Sequence, residues 1–300
     1  MGPSASGKSS LAINIAKEIN AKIISADSRL IYKEFDIATA KPTLEEQKGI
    51  KHYLIDIKEP TQEYTVAEFA DDAKSKIEEI ASEGNVPIVV GGTGLYFRIL
   101  LENYDLPRVA PNENLRKDLE KKSAEELYNI LLELDPEMAQ KIHFNNKVKI
   151  IRAIEVAKTL GIPMSEAQGK KDSEYEVLWI GLNSADRDFL YQRINLRVDK
   201  MLKEGLLEEA RQLFLKYPEL KLLKSTIGYQ ELEPYFEGNQ PLEECIEQIK
   251  QNTRRYAKRQ LSWFRANKCI NWLNIDELSS DELISKAKNL VVSFLEKESC

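Results

Sequence analysis

Gly2-Pro3-Ser4-Ala5-Ser6-Gly7-Lys8-Ser9 (GPSASGKS) is the stretch on which the reading turns. It fits the pattern G-x-x-x-x-G-K-[ST] of a phosphate-binding loop. The glycines let backbone N–H groups turn inward around an anion. A helix follows, with apolar residues at Leu11, Ile15 and Ile19 predicting it over Ser10 to Ile19. Its N-terminus points positive partial charge at the same anion. Lys8 adds a full charge, and the Ser9 hydroxyl is placed to ligate Mg²⁺. Gly2, Pro3, Ser4, Ala5, Ser6, Gly7, Lys8 and Ser9 are therefore the expected diphosphate-binding residues. Such a loop ordinarily follows a buried strand. Only Met1 precedes Gly2 here, so a further strand is expected upstream.

Working outward, Lys22 to Ala26 reads as a strand, β-branched at its centre. A helix is predicted from about Tyr64 to Glu83. A second strand, Val86 to Val90, runs into Gly91-Gly92-Thr93-Gly94. Strands alternating with helices predict an α/β fold, a P-loop NTPase-like core around a parallel sheet. No acid stands at the tip of the second strand, where an NTPase would direct an aspartate at Mg²⁺. That argues against ordinary ATP hydrolysis.

After Pro111 the composition turns helical, with Asp135-Pro136 opening one helix and Gly161-Ile162-Pro163 closing another. Residues 114–176 are read as an inserted all-helical domain, flanked by core segments 1–113 and 177–300. Glu176 to Leu182 returns to strand character. The last third is mostly helical, with breaks at Gly205, Pro218, Gly228 and Gly238.

The 300 residues carry a net charge of −6, which by itself argues against nucleic acid, yet Glu247 to Lys268 holds seven basic residues and one acid. A local basic strip on an acidic protein can still bind a polyanion. Cys245, Cys269 and Cys300 lie far apart, and only His52 and His143 could assist them, so no zinc site is expected. No stretch approaches the roughly 18 apolar residues of a membrane span. No basic-then-apolar leader opens the sequence, and a cytoplasmic, monomeric protein is expected.

Four further segments complete the constellation: Asp27-Ser28-Arg29-Leu30-Ile31-Tyr32, Asp36-Ile37-Ala38-Thr39-Ala40-Lys41-Pro42, Gly91 to Tyr96, and Thr253-Arg254-Arg255-Tyr256-Ala257-Lys258-Arg259-Gln260. Together with the phosphate loop, and in this order, they resemble the tRNA dimethylallyltransferase (tRNA isopentenyltransferase) family of bacterial type. The resemblance covers nearly the whole chain. It implies that Gly2 to Ser9 hold the diphosphate of dimethylallyl diphosphate and that Asp27 is the general base toward the adenine amine. It places Thr93 at the reaction centre, with Lys8 assisting catalysis. Asp27, Ser28, Arg29, Leu30, Thr93 and Arg116 match tRNA-contacting positions, as do the segments around Val148 to Arg152 (with Lys149 and Arg152), Ser225 to Gln230, and Asn252 to Arg259 (with Arg254, Arg255, Lys258 and Arg259). The helical insertion would clamp the anticodon stem. The family usually carries Gly at Ala38 and Gln at Leu30, and often Gln or Arg at Ser225.

The chemistry suits these groups. Charge grows on the leaving diphosphate as the allylic C–O bond breaks, and N–H donors, Lys8 and Mg²⁺ stabilise it. The amine sheds a proton to a carboxylate within reach. An anticodon-loop adenine must first be extruded, at roughly a few kcal/mol. Trp263 and Phe264 read as packing residues. Three alternatives remain from sequence alone: a free-nucleotide prenyltransferase acting on AMP or ATP, a small-molecule P-loop kinase, and an inactive RNA-binding protein.

Overall fold

In the computed structural model the first helix, α1 (Lys8–Glu18), begins inside the phosphate motif, earlier than the apolar spacing predicts. Gly7 caps it at φ 88°, a left-handed conformation that disfavours side chains. The structure describes the whole chain except residues 103, 171–172 and 299–300, so Cys300 lies outside the described residues.

Strand β1 (Ala21–Ala26) follows, then the short helix α2 (Leu44–Gln47), strand β2 (His52–Tyr53), helix α3 (Val66–Ser82), strand β3 (Val86–Gly91) and helix α4 (Gly94–Leu101). Thr65 and Glu68 form a reciprocal capping box that sets the start of α3. The strands pair in parallel in the order β2-β1-β3. Ile23 lies opposite both His52 and Ile88, and Ala26 lies opposite Gly91. The register ends β1 and β3 level, which brings Asp27 and the Gly92-Thr93 turn to the same sheet end.

The next elements are β4 (Tyr104–Asp105), α5 (Glu113–Glu120), α6 (Ala124–Leu134), α7 (Pro136–Lys141), α8 (Lys147–Leu160), α9 (Met164–Ala167) and β5 (Gly169–Lys170). Then come β6 (Ile180–Asn183), α10 (Arg187–Lys203), α11 (Leu206–Lys216), α12 (Glu233–Phe236), α13 (Leu242–Phe264), β7 (Asn271–Asn274) and α14 (Ser280–Glu298). Strands β6 and β7 pair in parallel. Met1 extends this pairing: its nitrogen donates to the Ile180 carbonyl at 2.8 Å, and the Leu182 N–H donates to the Met1 carbonyl at 2.9 Å.

Two compact units result: Met1–Phe97 with Glu176–Cys300, and Arg98–Tyr175. The second begins ahead of the boundary read at residue 114. Composition marks where its helices start, whereas the preceding extended segment belongs with them because Tyr104 and Asp105 pair antiparallel with Lys170 and Gly169. For the same reason residues 114–176 are not all-helical; they contribute β5.

In the first unit Leu11 and Ile15 of α1 pack with Leu182, Leu273 and Ala287, while Ala12, Ile13 and Ala16 pack with Ala21 and Ile23. Each large buried apolar side chain contributes about 1.5–3 kcal/mol, so α1 is clamped between two strand systems. In the second unit Leu119, Leu127, Leu131, Ile150 and Ile154 form the core. Among the described residues no helix is long and apolar enough to cross a membrane. Cys245 is buried and Cys269 exposed, both as free thiols.

Candidate functional site

The phosphate loop is held open by side chains from other elements. The Ser6 N–H donates to the Pro3 carbonyl at 3.3 Å, and the Leu11 N–H to the Gly7 carbonyl at 3.0 Å. From α10, Arg193 Nε donates to the Ala5 carbonyl at 2.9 Å. Lys8 Nζ curls back to the Pro3 carbonyl at 3.4 Å. Burial, with the Arg197 guanidinium beside it, pushes the Lys8 ammonium down to about 8, and Asp27 offsets part of this. Burial also lowers the Arg197 pKa, again with Asp27 opposing. Two cations and one carboxylate therefore converge at the start of α1.

At the sheet end, only glycine fits at position 91: a methyl group there would lie 2.0 Å from the Ala26 carbonyl oxygen. The Thr93 N–H donates to that carbonyl at 3.2 Å. The Ser28 N–H donates to Thr93 Oγ1 at 3.1 Å, and the Arg29 N–H to Asp27 Oδ1 at 2.9 Å. Asp27 and Thr93 are thus fixed by backbone donors on one loop.

Two cavities meet here. A chamber of about 80 Å³ is lined by Lys8, Ser9, Ser25, Leu30, His52 and Asp27 among others. A larger cavity of about 480 Å³ takes in Ser28, Arg29, Thr226, Asn252, Tyr256 and Arg259. Ser4, Asp27, Thr39 and Arg197 line both. Ser25 is buried, and its hydroxyl has no hydrogen-bond partner among the described residues. The His52 Nδ1 pairs with the Ile50 carbonyl, and burial lowers the ring's pKa.

Two carboxylates, Glu209 half-buried and Glu231 buried, brace segments that line the larger cavity. Glu209 on α11 accepts the N–H groups of Asp36, Ile37 and Ala38, the closest at 2.8 Å, and the Tyr229 hydroxyl at 2.7 Å. Successive N–H groups around one anion form a nest. Glu231 accepts the Gly228 N–H at 2.7 Å and the Asn252 amide at 2.8 Å. Burial and the Glu209 carboxylate raise the Tyr229 phenol strongly.

Helix α13 closes one side. Arg254 turns toward α10, where it donates to Asn195 Oδ1 at 2.7 Å and lies over the Tyr191 ring. Arg255, Lys258 and Arg259 are exposed. Arg259 lies over Tyr256, whose phenol is raised to about 12 by burial and by Asp27. Phe264 is buried edge-on against Phe97, as the packing reading expects. Trp263 departs from that reading: it stays 43% exposed while abutting Gly94.

In the helical unit Arg116 and Arg152 both bind the buried Glu155, at 2.8 and 2.6 Å. Burial would raise the Glu155 carboxyl, but Arg116, the Asn112 N–H and Arg152 outweigh it and hold it at about 2. Lys149 is exposed on α8.

Of the residues singled out from sequence, Gly2 to Ser9, Asp27, Ser28, Arg29, Leu30, Thr93, Arg254, Arg255, Lys258 and Arg259 lie on the loops and helix around the two cavities. Arg116, Lys149 and Arg152 lie in the other unit. Sequence reasoning missed Arg193, Arg197, Glu209 and Glu231. The signal for the arginines was their i, i+4 spacing on α10, which places both on one helix side.

A phosphate loop opening onto a carboxylate-bearing cavity, with no acid at the tip of β3, defines a phosphate-loop group-transfer protein. Residues 30–267 match the family model described as IPP transferase, and the chain belongs to that family. A tRNA dimethylallyltransferase of Acetivibrio thermocellus is 46% identical over 294 residues, covering 95% of this chain and 94% of the relative. The crystal structure of a tRNA isopentenylpyrophosphate transferase from Bacillus halodurans superposes with a TM-score of 0.75 at 39% identity, covering 99% of this chain and 96% of that one. A eukaryotic dimethylallyltransferase described as acting on tRNA gives 0.85 at 30% identity, covering 99% and 78%.

Proposed function

We propose that the protein transfers a dimethylallyl group from dimethylallyl diphosphate to N6 of the adenine 3′ of the anticodon in tRNA, releasing diphosphate. The observation that carries this is the position of Asp27, which lines both the chamber beside the phosphate loop and the larger cavity bounded by α13. One carboxylate is thereby available to a diphosphate ester on one side and a base on the other.

The loop N–H groups, Lys8 and Arg197 bind the diphosphate and stabilise the charge that grows on it. Asp27 accepts the proton lost by the adenine amine, and Thr93 holds the acceptor side. The residues also fit a divalent cation, Mg²⁺ in this reading. Ser9, in the first turn of α1, lines the chamber, and the unpartnered Ser25 hydroxyl suits a cation-bound water. A cation held there would supply positive charge against the leaving diphosphate. Exposed Arg255, Lys258 and Arg259 contact RNA phosphates, with Lys149 of the helical unit a further candidate. Arg116 and Arg152 act first as structural partners of Glu155. This activity belongs in the cytoplasm, where tRNA is modified.

The test incubates protein, Mg²⁺ and labelled dimethylallyl diphosphate with either unmodified tRNA or AMP, beside Asp27→Ala. Label in tRNA alone, lost in the variant, is the expected result. Label in AMP would instead establish a free-nucleotide enzyme.

A further inference from the structure

Gln260 is the one polar side chain among the buried residues of α13, 5% exposed among Ala257, Leu261 and Phe264. A buried amide costs roughly 1–3 kcal/mol unless it is hydrogen-bonded. Gln260 meets that demand by reaching two loops distant in sequence. Its Oε1 accepts the Ser4 N–H at 2.9 Å, and its Nε2 donates to the Gly92 carbonyl at 2.9 Å. The two bonds have opposite polarity, so a single amide orientation serves both.

Those two loops carry the two halves of the reaction. Ser4 lies within the phosphate loop, and Gly92 precedes Thr93. The fit on the Gly92 side is close, since a methyl group there would lie 2.1 Å from Gln260 Nε2. One turn earlier on the same helix, Tyr256 lines the larger cavity and interacts with Thr93.

We propose that Gln260 is a positioning residue for the transfer: a strut of fixed length that sets the phosphate loop against the acceptor loop bearing Thr93. The inference rests on the reaction proposed above. A transfer between two bound partners needs the reacting atoms about 3–3.5 Å apart, and a misplacement of about 1 Å can slow it on the order of a hundredfold. Gln260 touches neither ligand's expected position; it acts on the spacing between the loops that hold them.

Two near-isosteric variants test this. Gln260→Glu keeps an acceptor for the Ser4 N–H but opposes the Gly92 carbonyl with negative charge. Gln260→Met loses both bonds. Single-turnover transfer to tRNA is measured with labelled dimethylallyl diphosphate, beside the dissociation constants of inorganic diphosphate and of tRNA. The partition of donor between prenylated tRNA and solvolysis is also followed. In solvolysis water attacks C1 as the C1–O bond breaks, diphosphate leaves with the electron pair, and the water's proton passes to solvent, giving the allylic alcohol.

The strut predicts transfer slower by about tenfold to a hundredfold in both variants, with both dissociation constants within about twofold of the parent. It also predicts a larger solvolysed fraction, because an activated donor waits on a misplaced amine. Parental rates and partition in both variants would overturn it. So would slower transfer matched by equally weakened diphosphate binding and lower melting temperature, with the partition unchanged. A parent protein that prenylates no tRNA would overturn the transfer reading and the strut together, whereas an active parent with unaffected variants would overturn the strut alone.

Discussion

Raising the pH above 8 should loosen the grip on diphosphate. In the empty site the Lys8 ammonium is depressed from 10.5 to about 8 by burial and by Arg197. A bound diphosphate favours the charged form, so binding draws a proton onto Lys8 wherever the empty site has begun to lose it. At pH 8 the uptake is about half a proton per ligand, and at pH 7 about a tenth. Above pH 8 affinity falls by up to about tenfold per pH unit, or about 1.4 kcal/mol, until the pKa of the complex is reached. Stability runs the other way. The folded pKa lies below the unfolded one, so the empty fold is penalised below pH 8 and relieved as the pH rises toward 10.5. The assay is calorimetry of a non-transferable diphosphate monoester at pH 7, 8 and 9, in buffers of different ionisation enthalpy. Lys8→Arg, which stays charged throughout, should lose the pH dependence. Affinity independent of pH from 7 to 10, with no proton uptake at pH 8, would refute the assignment of Lys8 to the diphosphate.

Asp27→Asn should slow single-turnover transfer by about 10²–10⁴-fold without weakening diphosphate binding, since it removes a negative charge beside Lys8 and Arg197; a parental rate would count against the base assignment. The helical unit should lose about 3 kcal/mol as pH falls from 4.5 toward 2, because the Glu155 carboxyl is held at about 2 only in the fold; acid titration followed by circular dichroism, compared with Glu155→Gln, measures it. Replacing Arg255 and Lys258 with Ala should weaken binding to all tRNAs alike and lower the salt slope by about one for each RNA phosphate left without its cation. Gly228→Ala should cost about 1–3 kcal/mol, since Gly228 sits at φ +103° and its methyl would lie 2.8 Å from Ala38 Cβ. Adding Ala38→Gly should restore the steric part, as read by melting temperature.

The phosphate loop was legible because its chemistry is local: glycines, a lysine and a helix start, all within ten residues of sequence. Strands β1 and β3 were legible from short apolar runs bounded by glycine and polar turns. Strand β7 was not, because Asn271-Trp272-Leu273-Asn274 is too short and too polar to signal pairing; only β6 beside it makes it a strand. The strand character of Glu176 to Leu182 starts ahead of the pairing, which begins at Ile180, where β7 and Met1 supply partners. Arg197 and Glu209 stayed hidden for a related reason. On their own helices each reads as an ordinary solvated charge, and only the fold sets Arg197 against Lys8 and Asp27 and Glu209 against the Asp36–Ala38 amides. Arg116 and Arg152 show the converse: both are bound to Glu155, which lies three residues from Arg152 on the same helix but 39 residues from Arg116, a pairing that only the fold makes.

The bond from Gln260 to Ser4 spans 256 residues, and the Arg193 clamp on Ala5 spans 188. The phosphate loop is therefore synthesised well before either of the side chains that lock it, Arg193 first and Gln260 later. At about 5–20 residues per second, the loop waits on the order of ten seconds or more before α13 emerges. During that interval a nascent chain has no finished donor site, so capacity for prenyl transfer arises in one late step rather than growing with length.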